Sequence, residues 1–238
     1  MGEIREKIAD LRRDMESIAQ KAGRSAKEIQ LVLVTKTVPV AVIREAYDAG
    51  CRHFGENRVQ ELLDKENKLP ADIRWHFIGH LQTNKVKYLL GDFVQKHGVP
   101  PLIHSLDRPE LAAEIQTQAA RHKIAEVACL VQVNISGEIS KYGFSPDQAA
   151  GFIKTFCPDS VLKFKGLMAI GPLTDNKEKI RQAFRSLVQL EQQLKREFGQ
   201  WEWGILSMGM SGDYEIAIEE GANMLRIGSR VFGERLRT

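Results

Sequence analysis

Three groups of residues have types and spacings suited to chemistry on one small anionic ligand. The first is a lysine. The stretch "LVLVTKTVP", residues 31–39, opens on an apolar run of alternating Leu and Val and reaches Lys36 three residues before Pro39. A cation at the end of a strand that reads as buried has two explanations. Its stem can lie along the sheet while the ammonium reaches water, or the amine stands at the mouth of a pocket as a nucleophile. The second group is a pair of Gly- and Ser-rich turns. "SMGMSGD" carries Ser207, Met208, Gly209, Ser211 and Gly212 ahead of a helix-like segment, and "RIGS" carries Gly228 and Ser229 after a short apolar run. Glycine lets an anion approach backbone amides, and serine hydroxyls add donors. Either turn alone reads as an ordinary tight connection. The third group is Arg226, set between Leu225 and Ile227. An inward guanidinium there needs a partner, either a carboxylate such as Glu219 or Glu220 or an acceptor atom on a bound ring.

Those readings depend on the elements that carry the residues. Ile4, Ile8, Leu11, Met15 and Ile18 recur at helical spacing, which predicts an amphipathic helix over residues 1–23 that stops at Gly23. Strand patterns follow at 31–36, 51–54, 74–78, 102–106, 127–134, 163–169, 204–208 and 224–227. Helical segments lie between them near 40–49, 57–68, 83–90, 108–122, 146–156, 176–198 and 212–220. Asp107 and Ser145 are candidate caps, each two or fewer residues before a proline suited to a first helical turn. About eight strand–helix units in 238 residues predict a (β/α)8 barrel, a TIM barrel spanning 1–238 as one α/β domain with the first helix added. An open doubly wound sheet is the alternative.

In such a barrel, function gathers at the C-terminal ends of the strands, and the loops after the last two strands often bind phosphate. Both Gly/Ser turns fall there, and Lys36 ends the first strand. A phosphate cradle, an inward arginine and a strand-end lysine together suit pyridoxal 5′-phosphate (PLP), which has a phosphate, a ring nitrogen and an aldehyde able to form a Schiff base with lysine. Other residues carry less. His76 reads as a core residue and His80 as a loop hydrogen-bonder near the pocket. With no helix beneath them and no acid suitably placed, they do not predict zinc. Asn57 either caps the next helix or contacts ligand. Lys141 and Tyr142 sit in "GEISKYGF", where a solvated loop is the default. Met168, Met208 and Met210 are expected as apolar walls of the mouth.

The composition removes other classes. With 34 basic and 31 acidic residues the net charge is +3, too balanced to predict a nucleic-acid or membrane surface. No apolar run reaches the length of a membrane span, the first residues lack a signal-peptide core, and three scattered cysteines, Cys51, Cys129 and Cys157, read as buried thiols of a reducing cytoplasm.

The motifs "TKTVP", "FGENRVQE", "WHFIGHLQTNKV", "VNISGEISKYGF", "GLMAIGP" and "LSMGMSGDYEIAIEEGANMLRIGSRVFG" resemble the pyridoxal phosphate homeostasis protein family, from the first strand to the C-terminus. That family is similar to the barrel domain of alanine racemase without its second domain. The resemblance implies Lys36 as the aldimine lysine and Arg226 as partner of the pyridine nitrogen. It implies Ser207, Gly228 and Ser229 around the phosphate, Met208, Gly209 and Ser211 in the adjoining loop, and Asn57 and His80 in the pocket. Arg58 stands where the family carries an aromatic residue, which alters the rim. The implied role is cofactor holding, buffering or delivery, with apo PLP enzymes as candidate recipients and a monomer expected. A small amino-acid racemase is the alternative, although it needs an acid/base on each face of the cofactor. Lys141, in the loop after strand 5, is a candidate second amine for cofactor release.

Overall fold

The computed structural model describes residues 2–138, 141–157 and 159–233. In chain order they form α1 (Glu3–Lys21), β1 (Gln30–Val34), α2 (Val40–Asp48), β2 (His53–Glu56), α3 (Val59–Glu66), β3 (Arg74–Phe77), α4 (Thr83–Leu90), α5 (Asp92–His97), β4 (Leu102–Leu106) and α6 (Pro109–Arg121). There follow β5 (Val127–Gln132), α7 (Pro146–Lys154), β6 (Leu162–Met168), α8 (Lys177–Glu197), β7 (Ile205–Ser207), α9 (Tyr214–Glu219), β8 (Met224–Ile227) and α10 (Ser229–Phe232). The eight strands close in sequence order into a parallel barrel, β8 pairing with β1. This is the expected (β/α)8 architecture, and the open sheet is excluded. Among the described residues no helix is long and apolar enough to cross a membrane.

The strand pattern decides which side chains enter the barrel. Leu33, Phe54, Phe77, Leu225 and Ile227 belong to the core between strands and helices. Side chains alternate along a strand, so Val32, Val34 and Arg226 face the barrel interior, as do His53 and His76. Register then sets neighbours: Val32 lies opposite Arg226 across the closing β1–β8 seam. The added helix α1 buries Ile8, Leu11, Met15 and Ala19 and packs on α2, α9 and α10. Its chain reverses at Gly23, whose φ of 69° is cheap for glycine. Arg24 then donates to the carbonyls of Ile218 and Ala222 at 2.7 and 2.8 Å, fastening that exit to the end of α9.

Several local expectations shift: Cys51 and Cys129 are buried as expected, but Cys157, in the turn after α7, is exposed. β2 begins two residues later than predicted and includes Glu56, which is fully buried. α5 has no counterpart among the predicted helices. Ser145 caps α7 in a reciprocal box with Gln148, but Asp107 does not cap α6, where Arg108 is the N-cap. The Asp107 carboxylate is used elsewhere, by His80 and Arg108.

Candidate functional site

At the C-terminal mouth of the barrel lies a cavity of about 920 Å³, within the roughly 300–1,000 Å³ usual for small-molecule sites. Lys36, Asn57, His80, Ser211, Arg226, Gly228 and Ser229 all line it. Lys36, Arg58 and Arg226 give it three cations against one lining acid, Glu61, so its field favours an anionic ligand.

Lys36 lies two residues past β1, and both of its neighbours are clamped. The Thr35 hydroxyl donates to Glu56 Oε1 at 2.6 Å, and the Lys65 ammonium donates to the Thr35 carbonyl at 2.7 Å. Lys65, reaching in from α3, also pairs with Glu56 at 2.8 Å and Glu61 at 2.6 Å. Glu61 in turn accepts the Thr37 amide. Burial pushes the Glu56 carboxyl upward while Lys65 pulls it down. Thr37 has a φ of 61°, costly for a β-branched residue. Two hydrogen-bonded carboxylates and a buried lysine hold that turn and fix where the Lys36 side chain starts.

Arg226 is buried beneath the cavity. It donates to the Ser207 hydroxyl at 2.6 Å and to the Ala169 carbonyl at 2.8 Å. Burial lowers its pKa to about 10, with Asp213 opposing the shift, and it remains a cation at neutral pH. Of the two partners open to it from sequence, the carboxylates Glu219 and Glu220 are not used, because they are bound to Arg181 and Arg185 on α8. Above Arg226 the last two loops converge. The Ser211 hydroxyl accepts from the Gly228 and Arg230 amides at 3.4 Å each. These are long hydrogen bonds, and a stronger acceptor can displace them.

Three of the residues expected at the site from the "SMGMSGD" turn, Ser207, Met208 and Gly209, do not line the cavity. Ser207 is fully buried below it, between Arg226 and His104. Met208 is fully buried in the core and is not an apolar wall of the mouth; Met168 and Met210 are. Gly209 has a φ of 94°, and a Cβ there would lie 2.6 Å from Ala217 Cβ. It serves the close packing of the turn. Strand β7 is only three residues long, too short for alternation in the sequence to reveal which way Ser207 points.

The opposite rim is built from β3 and β5. The chain turns at Gly79, where a Cβ would meet the Asn57 carbonyl oxygen at 2.2 Å. Asn57 does not cap α3, since Arg58 occupies that position; it lines the cavity instead. His80 Nδ1 lies 2.7 Å from the Asp107 carboxylate, and the His80 ring stacks on Tyr142 with centroids 3.8 Å apart. Tyr142 is therefore a rim wall, although 59% exposed. Lys141 lies outside the main cavity and lines an adjoining one of about 140 Å³. Its ammonium is bonded to Glu138 and to the Gly171 carbonyl at 2.9 Å each. Thr37, Glu61, Ile78 and Gln132 also line the main cavity without having been singled out from sequence. The strand-to-helix turn "FGENRVQE" held that signal: two acids flank Asn57 and Arg58 at a strand end.

With the closed barrel and its cationic mouth in place, residues 7–236 match the family described as "Alanine racemase, N-terminal domain". The "Pyridoxal phosphate homeostasis protein" of Aquifex aeolicus is 44% identical over 231 residues, 97% of each chain. The solved structure of PipY from Synechococcus elongatus with PLP bound is 32% identical, covers 97% of this chain and 100% of its own, and superposes with a TM-score of 0.80. Alanine racemase of Clostridium difficile shares the fold alone, at 14% identity and a TM-score of 0.71 over 98% of this chain and 57% of the racemase. The chain belongs to the pyridoxal phosphate homeostasis protein family.

Proposed function

We propose that this chain binds pyridoxal 5′-phosphate and acts in cofactor homeostasis, holding PLP and releasing it to enzymes that need it. The observation that carries this reading is the convergence of Lys36, Arg226 and the Ser211, Gly228 and Ser229 loops on one cavity. The residues fit the group. An amine meets the aldehyde, a donor-only guanidinium suits a ring-nitrogen acceptor, and amides spent on 3.4 Å bonds suit a phosphate. When bound, PLP supplies an aldehyde conjugated to an electron-withdrawing ring.

The chain's own residues favour holding over turnover. Arg226 is charged at neutral pH, and a fixed cation resists a second positive charge on the ring nitrogen. The ring is then a weak electron sink. A racemase also needs a second acid/base opposite the lysine. Tyr142 is the tyrosine on the cavity wall, and its ring is stacked on His80. The names of the homeostasis relatives support the same reading.

Delivery requires the cofactor to leave. Lys141 acts as a second amine near the mouth, once it gives up Glu138 and the Gly171 carbonyl. The chain works as a monomer in the cytoplasm, handing PLP to apo enzymes. Loaded and dialysed protein mixed with an apo PLP enzyme should reactivate it faster than spontaneous dissociation allows. Lys141→Ala protein at equal loading should transfer several-fold more slowly. Reactivation no faster than cofactor loss into buffer would contradict delivery, and equal rates would remove Lys141 from the release step.

A further inference from the structure

The barrel interior contains a chain of polar groups that cofactor holding does not require. His53 Nδ1 lies 2.9 Å from His76 Nε2, and His76 Nδ1 lies 2.9 Å from His104 Nε2. His104 Nδ1 lies 3.0 Å from the Ser207 hydroxyl, which accepts from Arg226 at 2.6 Å. The chain begins at the first residue of β2, crosses β3, β4 and β7, and ends on β8 under the cavity. His76, His104, Ser207 and Arg226 are all buried.

The polarity of this chain follows from its arginine end. A guanidinium has donors and no acceptor, so the Ser207 oxygen must accept from Arg226. The buried Ser207 proton then needs an acceptor, and His104 Nδ1 is within reach. If His104 Nδ1 accepts, its Nε2 carries the proton and donates to His76 Nδ1. His76 must in turn donate from Nε2 to His53 Nδ1. Burial agrees with neutral rings, lowering His53 to about 4 and His76 to about 3, and pushing His104 well below its ordinary value. The reverse order leaves the Ser207 proton buried without an acceptor. A relay ending on a donor-only group cannot pass a proton through, so its consequence is orientation.

We propose that His53, His76 and His104 form a one-way hydrogen-bond chain, each ring neutral and protonated on Nε2, that holds Ser207 as the acceptor for Arg226 and so fixes the guanidinium below the cofactor site. His76, His104 and Ser207 are positioning residues. The effect on bound PLP rests on the function proposed above, whereas the tautomers do not, so the two can fail separately.

The first test needs no cofactor. Long-range proton–nitrogen correlation spectra of the cofactor-free chain, with 15N-labelled histidine, should show His53, His76 and His104 protonated on Nε2 at neutral pH. Ser207→Ala should leave the fold intact and release the order at His104 and, beyond it, at His76. An Nδ1-protonated or doubly protonated ring at His76 or His104 would overturn the chain, as would an undisturbed His76 in Ser207→Ala. The second test uses loaded protein. His104→Leu should lose PLP about tenfold faster in dialysis and shift its absorbance maximum. His104→Gln should restore both, because its amide can accept from Ser207 and donate to His76. A His104→Leu protein that keeps PLP with an unshifted band, or a His104→Gln protein no better than His104→Leu, would refute the positioning role.

Discussion

The two sides of the barrel mouth are built to different standards. On the β1–β2 side, Thr35, Thr37, Glu56, Glu61 and Lys65 are bonded to one another, most at 2.6–2.8 Å, around a left-handed turn. On the β7–β8 side, two amides share one serine hydroxyl at 3.4 Å. The first side has spent most of its polar groups on itself, Glu56 Oε2 excepted, and the second holds its donors only by long bonds. Covalent capture needs an amine whose root cannot wander, because misplacement costs rate steeply. Phosphate capture needs donors that can give up weak partners. Under the function proposed above, bond formation falls to the rigid side and anion binding to the looser one.

The largest effect should come from breaking the rigid side. Lys65→Met leaves Glu56 buried without its cation, a loss of about 3–5 kcal/mol in typical cases. Urea unfolding of the cofactor-free chain measures it. A change near zero would mean that the clamp contributes nothing and the comparison fails. On the loose side, Gly228→Val places a branched side chain beside the amide that the phosphate must reach. It should weaken PLP retention by about a hundredfold, roughly 2.7 kcal/mol, with little change in unfolding of the cofactor-free chain. Full retention through dialysis would count against the cradle.

A smaller effect separates strain from function. Thr37 and Lys123 both have positive φ, 61° and 56°. Glycine at either position should stabilise the chain by about 1 kcal/mol. Lys123→Gly should leave cofactor binding untouched, while Thr37→Gly should slow the capture of PLP by Lys36. If the two variants capture PLP at the same rate, the turn does not position the lysine.

Much of this was legible in the sequence. Apolar residues between turn signals marked the strands, since a strand of a parallel barrel is covered on the helix side and filled on the inside, although β2 (HFGE) and β3 (RWHF) carry no β-branched residue. Lys36, Arg226 and both late loops could be found because chemistry at strand ends leaves polar residues where burial predicts none. What escaped was partnership across the barrel. Glu56 lies outside the strand predicted at 51–54, and its cation, Lys65, sits on a helix nine residues later, where no local pattern links the two. His104 looked like any residue inside a strand, and its contact with Ser207 spans 103 positions. Ser207 was expected beside phosphate, but three residues of β7 cannot show alternation. The short α5, between Gly91 and Gly98, has one buried side chain, Phe93, and too few turns to show a helical period.

The central claim is that Lys36 is the covalent partner of PLP. The direct measurement is borohydride reduction of the loaded protein, followed by digestion and mass analysis of its lysine peptides. The account predicts the reduced cofactor on the peptide containing Lys36, and no fixed cofactor in a folded Lys36→Ala protein. Cofactor fixed instead on Lys141 or another lysine, or fixed equally well in Lys36→Ala, would contradict it.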